Sequence, residues 1–227
     1  MMIDMNKINL TIDILIQEAK NFCRIESKIN HLDLLGVTDG KAVGTYIEHK
    51  FQNYLKDRYI IEVGSSAKGI DLPSEHINTD IKVTSVKQPQ SSCPYRDSKQ
   101  KIFGLGYNLL VFVYDKKDSV GNCTLDFKYC TFVDKNRTAD FTTTKMIRDI
   151  LNAGGNEEDV IAYFYNINLP GDEITYQQIA DKVMISEPNQ GYLTISNALQ
   201  WRLQYKRVIM LQNKINGIYN FEGDELE

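Results

Sequence analysis

The chain has 227 residues, 42% of them hydrophobic, and a formal charge of −4. That length and apolar content provide for one generous domain or two small ones with an ordinary core, which points to a folded, soluble protein. The acidic balance excludes a protein that coats nucleic acid through an overall basic surface, so any charge for that purpose must be concentrated locally.

No stretch of about 18 apolar residues and no basic head with an apolar run and small-residue cleavage site occurs, so no membrane association is expected and the protein reads as cytoplasmic with reduced thiols. Cys23, Cys93, Cys123 and Cys130 are scattered without a CxxC pair, which argues against a structural zinc site.

Residues 10–29 place Ile12, Leu15, Ile16, Ala19, Phe22, Cys23 and Ile29 at helical spacing. Residues 42–55 put Val43, Ile47, Phe51, Tyr54 and Leu55 three and four apart, which predicts a second helix with Glu48 one position beyond its apolar stripe. Three β-type runs follow at 59–63, 69–72 and 79–85. In the last, Ile81, Val83 and Ser85 alternate with Asp80, Lys82 and Thr84, and together the runs suggest a small antiparallel meander. After a Pro-, Ser- and Gln-rich loop, 95–105 reads as a short helix and 107–114 as a buried central strand. A strand at 125–133 and a helix at 143–152 complete this unit, and 153–159 (AGGNEED) reads as a flexible joint.

Beyond the joint, helices at 157–165, 176–183 and 193–205 and paired strands at 207–211 and 218–221 around Asn216-Gly217 suggest a winged helix-turn-helix. The expected fold is α/β (α+β): a mixed central β-sheet flanked by helices at 1–153, then a small C-terminal winged domain at 157–222. The acidic tail 223–227 is expected to be disordered and clear of DNA.

The chemistry concentrates between Gly44 and Lys82. Asp80 and Lys82 lie two apart on one strand and share a face, and Asp71 at the end of the preceding run can meet them. Two carboxylates within about 4 Å in a partly apolar setting repel unless a cation neutralises them, which makes a Mg2+ site, with Mn2+ expected to substitute. Such an ion can activate water and stabilise charge on a phosphate, while the Lys82 ammonium orients the water and adds to the field. Glu48 can hold a second metal or a metal-bound water. Taken alone, Asp80 and Lys82 match a common surface salt-bridge pattern, and Glu48 matches a solvated helix residue paired with a lysine.

A helix-borne Glu48, then Asp71, then Asp80-Ile81-Lys82 on a strand resembles the PD-(D/E)XK nuclease superfamily, in its type II restriction endonuclease form. Gly44-x-x-x-Glu48 adds some likeness to mismatch-repair nicking enzymes. The resemblance covers about a third of the chain. It departs from the motif in having Ile70 before Asp71, where the name has proline, and Asp80 where Glu is commoner. It implies catalysis by Glu48, Asp71, Asp80 and Lys82. It also implies metal ligation by Asp71, Asp80 and the Ile81 backbone carbonyl, with Glu48 serving a second ion or acting through water.

Loops flanking this constellation carry Ser66, Lys68, Gln88, Gln90, Arg96 and Lys99, types suited to phosphate positioning and base-edge readout, or to an ordinary polar loop. On the expected recognition helix, Ile195, Leu199 and Leu203 form one stripe. Ser196, Asn197, Gln200 and Gln204, followed by Lys206 and Arg207, form a polar face for DNA; Trp201 reads as packing.

The implied function is sequence-specific cleavage of double-stranded DNA by a homodimer, since palindromic sites match two-fold symmetry, with a cognate DNA methyltransferase as genetic partner rather than bound subunit. Two alternatives remain at this point: a repair or nicking nuclease with the same site, and a winged-helix regulator that binds DNA without cutting it.

Overall fold

Thr11 and Asp39 start the two amphipathic helices. Each side-chain oxygen accepts a backbone N–H of the first turn, which satisfies a donor the helix itself cannot. The structure is a computed structural model describing residues 7–64, 69–92, 94–196 and 202–226. In chain order its elements are β1 (Ile8–Asn9), α1 (Ile12–Glu26), α2 (Gly40–Lys56), β2 (Tyr59–Ile60), β3 (Thr79–Ser85), β4 (Gln90–Ser92), α3 (Ser98–Phe103), β5 (Asn108–Ser119), β6 (Asn122–Val133), α4 (Phe141–Asn152), α5 (Glu157–Asn166), α6 (Glu173–Ile185), β7 (Thr194–Ile195), β8 (Arg202–Gln204), α7 (Lys206–Ile209) and β9 (Ile218–Glu222). No described helix is long and apolar enough to cross a membrane.

The chain divides into two units. The first comprises Met1–Pro89, Asn108–Phe132 and Asn213–Glu227; the second comprises Gln90–Tyr107 and Val133–Gln212. The first is built on a four-stranded sheet in the order β3-β5-β6-β9. Strand β5 is apolar from Leu109 to Tyr114 and buried throughout that run, as an inner strand covered on both faces requires. Ile81, Leu110, Phe112 and Tyr114 share a core with Phe22 of α1 and Ile47, Phe51 and Leu55 of α2. The Phe22 ring lies 4.9 Å from Phe51, which lies 5.1 Å from Phe112, so an aromatic chain ties both helices to the sheet.

The antiparallel meander is corrected. Strand β3 pairs parallel with β5, from Thr79 opposite Asn108 to Ser85 opposite Tyr114, and β1 pairs parallel with β2. The long connection through α3 is what permits the parallel pairing. Residues 69–72 contribute only a bridge, Leu72 to Thr79. The acidic tail is also corrected: residues 223–226 form a 3-10 turn, Leu226 is buried in the first unit's core and Glu225 pairs with Lys20 at 3.5 Å.

The second unit holds α3 to α6, α7 and an antiparallel sheet in the order β4-β8-β7. Its core joins Ile147 of α4, Val160 and Phe164 of α5 and Tyr176, Ile179 and Val183 of α6. The expected boundary at 153–157 therefore falls inside a shared core, because Ala153 and Gly154 serve only to turn α4 into α5. The winged helix is overturned. Residues 194–195 and 202–204 are strands where a recognition helix was expected, and 206–209 is a short helix where a strand was expected. Strand β9 pairs within the four-stranded sheet instead of forming a wing.

Candidate active site

A tight turn places the first acid. Leu72 and Thr79 exchange N–H···O bonds at 3.0 Å, closed by Ile77 and Asn78 donating to the Ser74 carbonyl, with Asn78 at φ 38°, a region that asparagine tolerates. Gly64 donates to the Asp71 carbonyl at 2.8 Å, and a Cβ on Gly64 would lie 1.9 Å from the Ile70 oxygen, so only glycine fits there. These contacts hold Asp71 beside β3, where its Oδ2 accepts the Ile81 N–H at 2.7 Å.

Strand β3 is an edge of its sheet. Since both backbone groups of Thr79 bond to Leu72, and Ile81 lies two residues on, the Ile81 N–H and carbonyl face that same open edge. Asp80 and Lys82 share one face of the strand, with Lys82 Nζ 2.6 Å from Asp80 Oδ2. Glu48 comes from α2. One turn before it, Gly44 rests on β3, a Cβ there lying 3.6 Å from the Val83 oxygen, so helix and strand approach closely at this point. Glu48 and Asp80 both lie close enough to Asp71 for its carboxyl group to act on theirs.

Three carboxyl groups and one ammonium thus form a connected set. Burial, reinforced by the hydrogen bond to Asp71 and its charge, pushes the Glu48 carboxyl up to about 8. Asp80, 3% exposed, is pushed up to about 7 by burial, although Lys82 opposes the shift. Glu48 and Asp80 hold protons because burial disfavours their charged forms beside another acid, and a divalent cation would favour the charged forms. Among the described residues no three His, Cys, Asp or Glu side chains are arranged to hold an ion by themselves. Mg2+ usually takes one or two carboxylates and keeps several waters. Asp71, Asp80 and the Ile81 carbonyl fit it on one edge of β3.

The structure brings Glu48, Asp71, Asp80, Ile81 and Lys82 together. Gln88 is exposed in the turn after β3, where its carbonyl accepts from Thr84. Ser66, Lys68, Asn197, Gln200 and Trp201 lie outside the described residues. The others belong to the second unit. Gln90 opens β4, Arg96 and Lys99 are exposed at the start of α3, and Ser196 closes β7 by accepting the Arg202 N–H. Gln204 stands exposed on β8, while Lys206 and Arg207 are exposed on α7 with the Arg207 guanidinium 4.0 Å from the Phe141 ring. Sequence reasoning missed Arg202 and the buried Asp140, whose Oδ1 caps α4 through Thr143 and whose Oδ2 accepts the Ile195 N–H at 2.9 Å. For Arg202 a signal existed in the exposed–buried alternation of Arg202-Leu203-Gln204-Tyr205.

No solved structure matches the chain. Residues 9–220 match the family described as "Type II restriction enzyme NspV". A curated relative, the type II restriction enzyme NspV of a Nostoc species, is 53% identical over 211 residues, covering 92% of this chain and 95% of its own. The regulator alternative therefore falls, and the chain belongs to the type II restriction enzyme NspV family and is a site-specific deoxyribonuclease.

Proposed function

We propose that the chain hydrolyses phosphodiester bonds of double-stranded DNA at a specific sequence, dependent on Mg2+, using a PD-(D/E)XK site on β3. The observation that carries this reading is the meeting of Asp71, the Asp80–Lys82 pair and the helix-borne Glu48 at the open edge of one strand. Asp71, Asp80 and the Ile81 carbonyl would hold the ion, with Glu48 serving a second ion or acting through water. Mg2+ supplies Lewis acidity toward the phosphate and lowers the pKa of water. Mn2+ should substitute for it, since the same oxygen donors suit both ions.

The protein's own groups position the reactants. Lys82 offers three N–H donors on a face shared with Asp80, so it can orient a water and offset charge growing on the phosphate oxygens. The water oxygen bonds to phosphorus, the bond to the leaving oxygen breaks, and a proton ends on that oxygen. Asp71 fixes the strand backbone at Ile81 while its carboxylate faces the other two acids, so it acts through geometry as well as charge.

A homodimer is the assembly a palindromic target would require, and a cognate methyltransferase would protect the host's own cytoplasmic DNA. The test is incubation of purified protein with phage DNA lacking host methylation, with Mg2+ or EDTA, beside Asp80→Ala and Lys82→Ala proteins. Discrete fragments that need Mg2+ and vanish in both variants are expected. DNA left intact under every condition, or fragments that persist in both variants, would overturn the assignment.

A further inference from the structure

In an acidic protein, the two stretches that build the second unit's sheet carry no acidic residue. No Asp or Glu occurs between Asp80 and Asp97, where Lys82, Lys87 and Arg96 lie, or between Glu187 and Glu222, where Arg202, Lys206, Arg207 and Lys214 lie. These two stretches supply all three strands of the second unit's sheet.

Register divides that sheet into two faces. Gln204 stands opposite Gln90 on one side and Thr194 on the other, and Arg202 stands opposite Ser92; cross-strand partners and residues two apart share a face. The reverse face carries Leu203 and Ile195, both buried, and Ser91, whose Oγ is 2.6 Å from the Tyr205 hydroxyl. Burial of one face locks the register, so Gln204, Arg202 and Ser92 are held exposed on the other. The fixing is reinforced at the C-terminal end of β7, by the Asp140 carboxylate on the Ile195 N–H and by paired bonds between Ser196 and Arg202. An open groove of about 560 Å³ continues from Thr194 and Gln204 along Lys206 and Arg207 to Gln212.

We propose that this exposed sheet face reads base edges in the major groove of duplex DNA, with Gln204 and Arg202 as specificity-determining side chains. The inference rests on the reading of the chain as a sequence-specific DNA endonuclease. A glutamine amide offers the donor and acceptor that match adenine N6 and N7. An arginine fork matches guanine O6 and N7, and hydroxyls such as Ser92 and Thr194 accept either role. Arg202 has no ion-pair partner among the described residues. The major groove is wide enough to admit elements of protein secondary structure, and the missing acids remove repulsion from phosphates. Lys206 and Arg207 supply the phosphate contacts that set register without carrying sequence information.

The test is selection from a pool of randomised duplexes by full-length protein carrying Lys82→Ala to block cutting, compared with the same protein carrying Gln204→Ala or Arg202→Ala. Cutting of phage DNA is measured in parallel with Lys82 intact, and Lys117→Ala, at an exposed position in the first unit, serves as control. The parent should enrich one sequence, and each variant should lose about 10- to 100-fold of its preference at one base pair of each half-site. Identical enrichment by parent and variants would overturn the proposal, and so would a uniform loss across all sequences with a shallower salt dependence, which marks phosphate contact alone. Sequence preference in a protein that cuts nothing would sustain the reading face while overturning the cleavage mechanism.

Discussion

Asp80 in the first unit and Asp140 in the second are buried almost equally, at 3% and 4% exposure, in opposite surroundings. Asp80 faces the acids Asp71 and Glu48 with one lysine for relief, and is pushed up to about 7. Asp140 faces donors: the Thr143 N–H and hydroxyl on one oxygen and the Ile195 N–H on the other. A buried acid among N–H groups ties the chain together, whereas a buried acid among acids is an unsatisfied charge held for a ligand. In the first unit the buried acid stands among other ionisable groups, and in the second the same side chain type stiffens the junction of α4 and β7.

The largest effect expected from this contrast is on activity. Asp80→Asn should lower cutting at least about a thousandfold, measured by fragment appearance, yet raise the Mg2+-free Tm by a few degrees above pH 7. Asp140→Ala should do the reverse for stability. It leaves the Ile195 N–H and the α4 cap without an acceptor, a loss of about 3 kcal/mol in urea unfolding. Gly64→Ala should cost about 2 kcal/mol, because the new Cβ cannot fit 1.9 Å from the Ile70 oxygen, and cutting should fall as Asp71 shifts.

A smaller effect follows from titration. Folded Glu48 and Asp80 hold protons more tightly than in the unfolded chain, so their contribution to stability is complete below about pH 4 and is lost as pH rises through about 7 to 8. Melting of the Mg2+-free protein from pH 5 to pH 8.5 should show this decline, and Glu48→Gln should flatten it. Mg2+ affinity should rise over the same interval, since the ion displaces protons. Lys117→Ala should change stability by less than about 0.5 kcal/mol, its ion pair with Asp115 being exposed.

Helices α1 and α2 and strands β3 and β5 were legible because their apolar periods are long and unbroken. Strand β3 was located to the residue, since Ile81 and Val83 alternate with polar neighbours. The candidate site was legible to the extent that its acids cluster in one short stretch of sequence. The parallel pairing of β3 with β5 was not, because nothing local to either strand fixes a partner 29 residues away. A helix was expected where 194–195 and 202–204 are strands for a specific reason: Ile195, Leu199 and Leu203 are four apart in the sequence, and four is both one helical turn and two strand repeats. At 207–211 the run of apolar residues fits either state, and the buried pair Val208 and Ile209 settled into a helical turn. The tail was misread because charge in 222–227 obscured Leu226, whose side chain is buried in the first unit's core.

The path of the chain passes from one unit to the other four times, after Pro89, Tyr107, Phe132 and Gln212. The sheet that carries Gln90 and Gln204 is therefore assembled from two separate inserts, with catalytic-sheet segments before, between and after them. No single crossover in a gene could exchange it for another. A terminal exchange long enough to reach it would also carry away β9 or β3 and dismantle the four-stranded sheet, so the two sheets stand or fall together in any such exchange.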